Sequence, residues 1–486
     1  MEQAASYSLS TGIPGLDTVL DGGLRPGHLY FVEGESGTGK TTLALQFILE
    51  GVRRNERTLV VSFSETAAEL RVAAHSHGWS LDGVEIRDLS QTGSGEAAPT
   101  LFHLAETALD ERIEELLAAT ERVRPQRLML DTLSSLRTLT DQPGRLRQHL
   151  ESLQRRLHEI GCTMLVVDEL FGSDLLHPRS LAWGILRLEQ QILDYGPARR
   201  RLYIPKLRGQ TYQGGYHDFQ LRTGGLEVFP SLRVTGPLPR PDHALISTGL
   251  DSLDALLGGG LNRGTSTAVL GPPGSGKSTL VSQLALTAAN RGERVAVFVF
   301  DESTETFHQR ARGQGIDLDA FADRLHLQRV DPAELSPGEF AHRLRQMVEE
   351  ENVRFVGIDS LNGYMYAMPG ERLLQAHVHE LLTYLSLRGI TTVLTLAQAS
   401  LFGGGTQAPV DLSYLADTVL VQRFFEAGGA IRNAIAVMKK RYGNHERTLR
   451  EYRIGPNGIV LGEPLTAFRG VLTGVPEYRG EADPLM

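Results

Sequence analysis

Two short stretches carry residue types suited to gripping phosphate. Gly34 to Thr42 reads GESGTGKTT and Gly271 to Thr279 reads GPPGSGKST, which gives Gly34-x4-Gly39-Lys40-Thr41 and Gly271-x4-Gly276-Lys277-Ser278. Glycines at this spacing let backbone N–H groups turn inward around phosphate oxygens. The lysine then reaches the outer phosphates of a nucleoside triphosphate, and the hydroxyl ligates Mg²⁺. The candidate nucleotide contacts are Gly34, Ser36, Gly37, Thr38, Gly39, Lys40, Thr41 and Thr42 in the first stretch. In the second they are Gly271, Gly274, Ser275, Gly276, Lys277, Ser278 and Thr279.

A metal held this way needs a second acidic element at the end of a neighbouring apolar strand. Arg127-Leu-Met-Leu-Asp131 and Arg354-Phe-Val-Gly-Ile-Asp359 have that form. Asp131 and Asp359 therefore join Thr41 and Ser278 as the candidate Mg²⁺ set, with simple capping of the strand-to-loop turn as the alternative. Hydrolysis also needs a carboxylate near the attacking water. Phe63-Ser64-Glu65-Thr66 and Phe300-Asp301-Glu302-Ser303 end the strand after each phosphate loop, so Glu65, Asp301 and Glu302 are the candidates. Successive strand residues face opposite ways, and spacing leaves open which of each pair faces the water.

These loops need a strand before them and a helix after them. Apolar, β-branched runs at Leu29 to Glu33, Thr58 to Phe63, Leu128 to Leu130 and Thr163 to Val167 alternate with helical stretches such as Thr42 to Arg54. That alternation predicts an α/β fold with a mostly parallel sheet covered on both faces. The pattern occurs twice: Ser10-Thr11-Gly12, Leu16-Asp17, Gly22-Gly23-Leu24 and the phosphate loop all recur at an offset of 237 residues. Two homologous domains, 1–232 and 242–475, are expected, with a proline-punctuated linker at 233–241 and a short tail at 476–486.

Composition narrows the function further. The chain of 486 residues is 41% hydrophobic, carries a net charge of −9 and has one cysteine, Cys162, inside an apolar run. Cysteine-rich metal sites and intrachain disulfides are thus excluded, and a phosphate-backbone partner is disfavoured. Thr391 to Val421, which should include loops near a ring channel, has no lysine or arginine, which argues against the RecA-like DNA-dependent ATPase alternative. Met1 to Ser10 lacks a leader pattern and no segment is long and apolar enough for a membrane helix, so a cytoplasmic, membrane-free protein is expected. There are 44 arginines but only five lysines: Lys40, Lys206, Lys277, Lys439 and Lys440. Lysine is a compact charge on a flexible stem, so its rare positions mark sites where arginine's planar fork does not fit.

Together, Ser10-Thr-Gly-Ile-Pro-Gly-Leu-Asp17, the Phe-x-Glu-Thr turn, and Lys206-Leu-Arg208-Gly209 followed by Gly215-Tyr216 resemble the KaiC family of tandem RecA-like ATPases. The resemblance spans about Tyr7 to Gly474. It implies ATP with Mg²⁺ between subunits of a hexameric double ring and a KaiB-like or other signalling-protein partner. It also implies trans-acting roles for Lys206 and Arg208 in one ring and Lys439 and Arg441 in the other. Four of the five lysines then fall at two positions per repeat. The family's clock autokinase phosphorylates an adjacent Ser-Thr pair, and the matching segment here keeps Ser413 but has Tyr414 next to it. Ser413 is thus the candidate phosphoacceptor, and the resemblance implies a serine autokinase acting as a slow signalling or timing switch. An ATP-gated scaffold with weak turnover is the remaining alternative. The family has adjacent glutamates where this chain has Ser64-Glu65 and Asp301-Glu302.

Overall fold

The computed structural model describes residues 8–90, 101–140, 143–169, 178–192, 197–233, 243–331, 334–366, 371–397, 415–456, 458–472 and 476–478; side chains are not described for 101–108, 143, 366 and 371–374. The chain divides into two compact units, Met1–Ser231 and Leu232–Met486. Of the expected linker, only Arg233 lies within the described residues.

The first unit contains β1 (Leu29–Gly34), β2 (Thr58–Ser62), β3 (Glu85–Asp88), β4 (Arg127–Asp131), β5 (Thr163–Glu169), β6 (Gly184–Gln191), β7 (Arg199–Leu207), β8 (His217–Arg222) and β9 (Gly225–Phe229). They form one sheet in the order β3-β2-β4-β5-β1-β6-β7-β8-β9. The pairs from β3 to β6 are parallel, and β6 to β9 continue as an antiparallel meander.

Alternation along the strands feeds two apolar layers. Tyr30, Val32, Val60 and Met129 pack with Leu43, Phe47 and Ile48 of the helix Lys40–Arg53. Leu29, Phe31, Val61 and Leu128 pack on the opposite face with Leu109, Ile113, Leu116, Leu150 and Leu153. Runs buried on both faces are what a parallel core requires, and the runs expected from the sequence are its strands.

The second unit repeats this plan. A short ribbon, β10 (Leu245–Ile246) with β11 (Leu261–Asn262), precedes β12 (Ser266–Gly271), β13 (Arg294–Val299), β14 (Leu325–Arg329), β15 (Val353–Asp359), β16 (Thr391–Ala397), β17 (Thr418–Ala427), β18 (Ala430–Lys440), β19 (Arg450–Gly455) and β20 (Gly458–Pro464). The large sheet runs β14-β13-β15-β16-β12-β17-β18-β19-β20, the same order as in the first unit. Among the described residues, no helix is long and apolar enough to cross a membrane.

The repeated Ser-Thr-Gly…Leu-Asp opening is structural. The Asp17 carboxylate accepts from Ser10 Oγ at 2.6 Å, Thr11 N at 2.8 Å and Thr11 Oγ1 at 2.7 Å. Asp254 does the same for Ser247 and Thr248 at 2.6, 2.8 and 2.6 Å. One carboxylate thereby satisfies three donors and holds the entry turn of each domain closed.

Candidate functional site

Both phosphate loops leave the C-terminal end of the central strand and enter a helix. Gly34 ends β1, Gly37 and Gly39 have φ of +78° and +99°, and the helix begins at Lys40. In the second domain Gly271 ends β12, Gly274 and Gly276 have φ of +81° and +88°, and the helix begins at Lys277. These left-handed conformations favour glycine. A Cβ on Gly276 would also meet Ile454 Cδ1 at 2.3 Å.

Ser36 and Gly37 are exposed, whereas Thr38 is buried and donates from Oγ1 to the Glu35 carbonyl at 2.8 Å. Ser275, its counterpart, donates to Gln422 Oε1 at 3.1 Å. Thr41, Thr42 and Ser278 are half-buried at the first turn of their helices, and Thr279 is buried. Lys40 and Lys277 fold back over their loops, each donating Nζ at 2.8 Å to a loop carbonyl, that of Glu35 or Pro272. Burial lowers both ammonium pKa values. Glu169, Asp131 and Asp168 oppose that shift at Lys40, as Asp359 and Asp301 do at Lys277.

Asp131 ends β4 at 1% exposure, and among the described residues neither carboxylate oxygen has a hydrogen-bond partner. Burial, reinforced by Glu65 and opposed by Lys40, pushes its pKa up to about 7. Asp359, at the end of β15, accepts from Thr395 Oγ1 at 2.5 Å. The peptide following each of these aspartates is cis.

The acid loops differ between domains. In the first, Ser64 is exposed while Glu65 turns inward, with Oε2 buried and unpartnered; burial and then Glu69 raise its pKa. In the second, Asp301 accepts from Ser360 Oγ at 2.5 Å, beside Asp359, and Glu302 is gripped by Arg310 at 2.5 and 2.6 Å. The fold therefore gathers Lys40, Asp131 and Glu65 in one site and Lys277, Asp359 and Asp301 in the other. Glu302 stands apart in an ion pair.

The Lys-x-Arg segments lie elsewhere. Lys206 pairs across the sheet with Ile185, and Ile185 with Phe31, three residues before Gly34. Lys439 pairs with Val419 and Val419 with Ala268, again three residues before Gly271. Each lysine is thus about 10 Å along the strands and about 9.5 Å across them from its own phosphate loop, further than its side chain spans. Lys206 Nζ donates to the Arg179 and Ser180 carbonyls at 2.9 and 3.1 Å, and Lys439 Nζ to the Ala416 carbonyl at 2.8 Å. Arg208 is exposed, and Arg441 forms an ion pair with Asp417 at 3.0 Å. Trp183 stands at the Asp417 position of the first domain, stacked on His28 with ring centroids 3.7 Å apart. Ser413 lies outside the described residues.

A second layer of charge escaped the sequence reading. Glu33, fully buried directly before the first phosphate loop, accepts from Arg179 at 2.6 Å and Arg187 at 2.8 Å. Asp168, also fully buried, accepts from Arg137 at 2.7 Å. The corresponding second-domain strand positions carry Leu270 and Leu396. An acid closing the otherwise apolar run Leu29 to Glu33 was the available signal; its arginine partners are remote in the chain.

A family description reading "ATPase: KaiC" matches residues 9–233 and 246–466, one domain in each half. Circadian clock protein KaiC3 of Synechocystis sp. is 26% identical over 489 residues, covering 98% of this chain and 95% of that protein. Circadian clock oscillator protein KaiC of Picosynechococcus sp. is 28% identical, with 96% and 92% covered, and that of Thermosynechococcus vestitus is 28% identical, with 96% and 91% covered. Two phosphate loops on two sheets of one topology, matched along both halves to a single family, place this chain in the KaiC family of ATPases.

Proposed function

We propose that each domain binds Mg-ATP against a neighbouring subunit of a hexameric double ring and hydrolyses it, with serine autokinase activity at Ser413 in the second domain. In this reading the protein is a slow signalling or timing switch read by a KaiB-like or other signalling protein, and the domains meet at a linker near 233–241. The observation that carries it is Asp131: a buried carboxylate without a hydrogen-bond partner is costly unless a ligand completes it.

The residues present fit Mg²⁺, since Asp131 offers free oxygens beside Lys40. Thr41 with Asp131, and Ser278 with Asp359, would hold it. When bound, the metal supplies neutralisation of charge on the β- and γ-phosphates. Lys40 and Lys277 exchange their loop carbonyls for phosphate oxygens, while the loop N–H groups cradle the chain of phosphates. Glu65 and Asp301 orient the attacking water and accept its proton. Their register keeps Lys206 and Lys439 from their own loops, which supports their acting, with Arg208 and Arg441, on a neighbour's γ-phosphate.

Phosphate release and intact mass, followed together with Mg-ATP for the parent, Lys40→Ala, Lys277→Ala and Ser413→Ala, test this reading. One added phosphate should require both Lys277 and Ser413, and hydrolysis should persist in part in either single lysine variant. ATP-driven assembly with neither product would establish a scaffold instead.

A further inference from the structure

The two acid loops share one backbone plan and use it differently. Thr66 and Ser303 cap the following helices, Ala67–Ser76 and Thr304–Gly313, by accepting from the backbone N–H three residues on. Eight residues beyond the second position of each pair, Glu65 and Glu302, the first domain has Ala73 and the second has Arg310. Both Glu302 carboxylate oxygens accept from Arg310 Nη1, at 2.5 and 2.6 Å. The guanidinium lies 4.8 Å from the ring centroid of Phe307, which is fully buried, so the arginine is anchored to its helix. Glu65, the counterpart of Glu302, has Ala73 rather than an arginine at that position, and its buried Oε2 has no partner among the described residues. The remaining acid of the second domain, Asp301, receives the Ser360 hydroxyl next to Asp359.

We infer that Arg310 is a positioning residue that holds Glu302 off the hydrolytic centre and thereby makes Asp301 the proton acceptor of the second site, whereas Ala73 leaves Glu65 to serve the first. The inference rests on the reading of the second domain as an ATP-hydrolysing site. Its chemical step is balanced by water alone. The water oxygen bonds to the γ-phosphorus, the bond to the β–γ bridging oxygen breaks, and the water proton passes to the Asp301 carboxylate and onward to the released phosphate. The first domain demonstrates that the second position of the pair can face inward when no arginine claims it. Glu302 is therefore a reserve acid, withheld by an ion pair.

The test uses the full chain carrying Lys40→Ala, so that phosphate release reports the second site. Arg310→Met serves as the probe, because it removes the charge and keeps an apolar stem over Phe307. Asp301→Asn should lower kcat about 100-fold, the scale of losing a general base. Asp301→Asn with Arg310→Met should recover at least about tenfold of that loss in kcat at similar KM, and adding Glu302→Gln should erase the recovery. A purely structural role for Arg310 predicts no such rescue. The inference is overturned if the double variant still binds ATP and assembles but turns over no faster than Asp301→Asn, or if Glu302→Gln alone costs as much as Asp301→Asn. A Lys40→Ala parent that binds Mg-ATP and releases no phosphate refutes the ATPase reading of the second site itself, which distinguishes that failure from a failed rescue.

Discussion

Asp131 shows how a single residue sets the pH response of the first site. Its carboxyl is pushed up to about 7, and Glu65 shifts in the same direction. The folded, nucleotide-free domain therefore retains protons that the unfolded chain has released. Its contribution to stability is fully present below the unfolded carboxylate value and is lost as pH rises through the folded one. Measured against Asp131→Asn, so that carboxylates shifted the other way such as Glu50 cancel, the melting temperature of the nucleotide-free parent should fall between about pH 4 and pH 7. A parent that gains stability relative to Asp131→Asn across the same interval contradicts the assignment. Gly276 makes a second point at this scale. Its φ of +88° is strained for any residue with a Cβ, and Ile454 Cδ1 would have to give way as well, so Gly276→Ala should weaken nucleotide binding in the second domain by at least about tenfold, read by titration with a fluorescent ATP analogue in a Lys40→Ala background.

Among the elements, the entry turn of each domain is tied to the antiparallel meander by different chemistry at the same two carbonyls. Gln210 Nε2 donates to Leu20 and Gly23 at 2.8 and 2.9 Å, and Lys440 Nζ donates to Leu257 and Gly260 at 2.5 and 3.0 Å. Leu257 and Gly260 are the repeats of Leu20 and Gly23. The fifth lysine thus acts as a clamp between these elements, which accounts for its falling outside the pairing of the other four. Lys440→Ala should destabilise the second domain by about 1.5–3 kcal/mol, the scale of losing charged hydrogen bonds, in chemical denaturation. Lys440→Gln should restore part of that loss, since an amide already does the work in the first domain.

At the scale of the whole molecule, the cross-strand register separates each Lys-x-Arg segment from its own phosphate loop, which is the basis of the proposal that neighbouring subunits complete each other's sites. Mixing distinguishes this from action within one subunit. With Lys277→Ala silencing the second site throughout, Lys40→Ala and Lys206→Ala chains should each be inactive alone. Co-assembled at equal amounts, about a quarter of the heterologous interfaces combine an intact loop with an intact lysine, and phosphate release should return in that proportion. Mixtures as silent as their components would place Lys206 on its own subunit's nucleotide or outside the reaction.

Much of this was legible in the chain before folding, because the chemistry of a phosphate loop is contiguous. Glycine, lysine and hydroxyl must sit at fixed spacing between a strand and a helix, so the two loops, the repeat at 237 residues and the acids closing the apolar runs were all readable locally. The parallel core was legible for the same reason, since strands buried on both faces must be apolar throughout. The antiparallel meander was not, as its half-exposed strands mix arginine and glutamate with apolar residues. Tertiary structure alone decided that Glu65 turns inward while Glu302 is held by Arg310, since neither orientation can be read from spacing. It likewise decided that Glu33 and Asp168 are buried, since their partners Arg187 and Arg137 lie 154 and 31 residues away. Local spacing determines what a residue can do; the remote charges packed around it determine whether it does so.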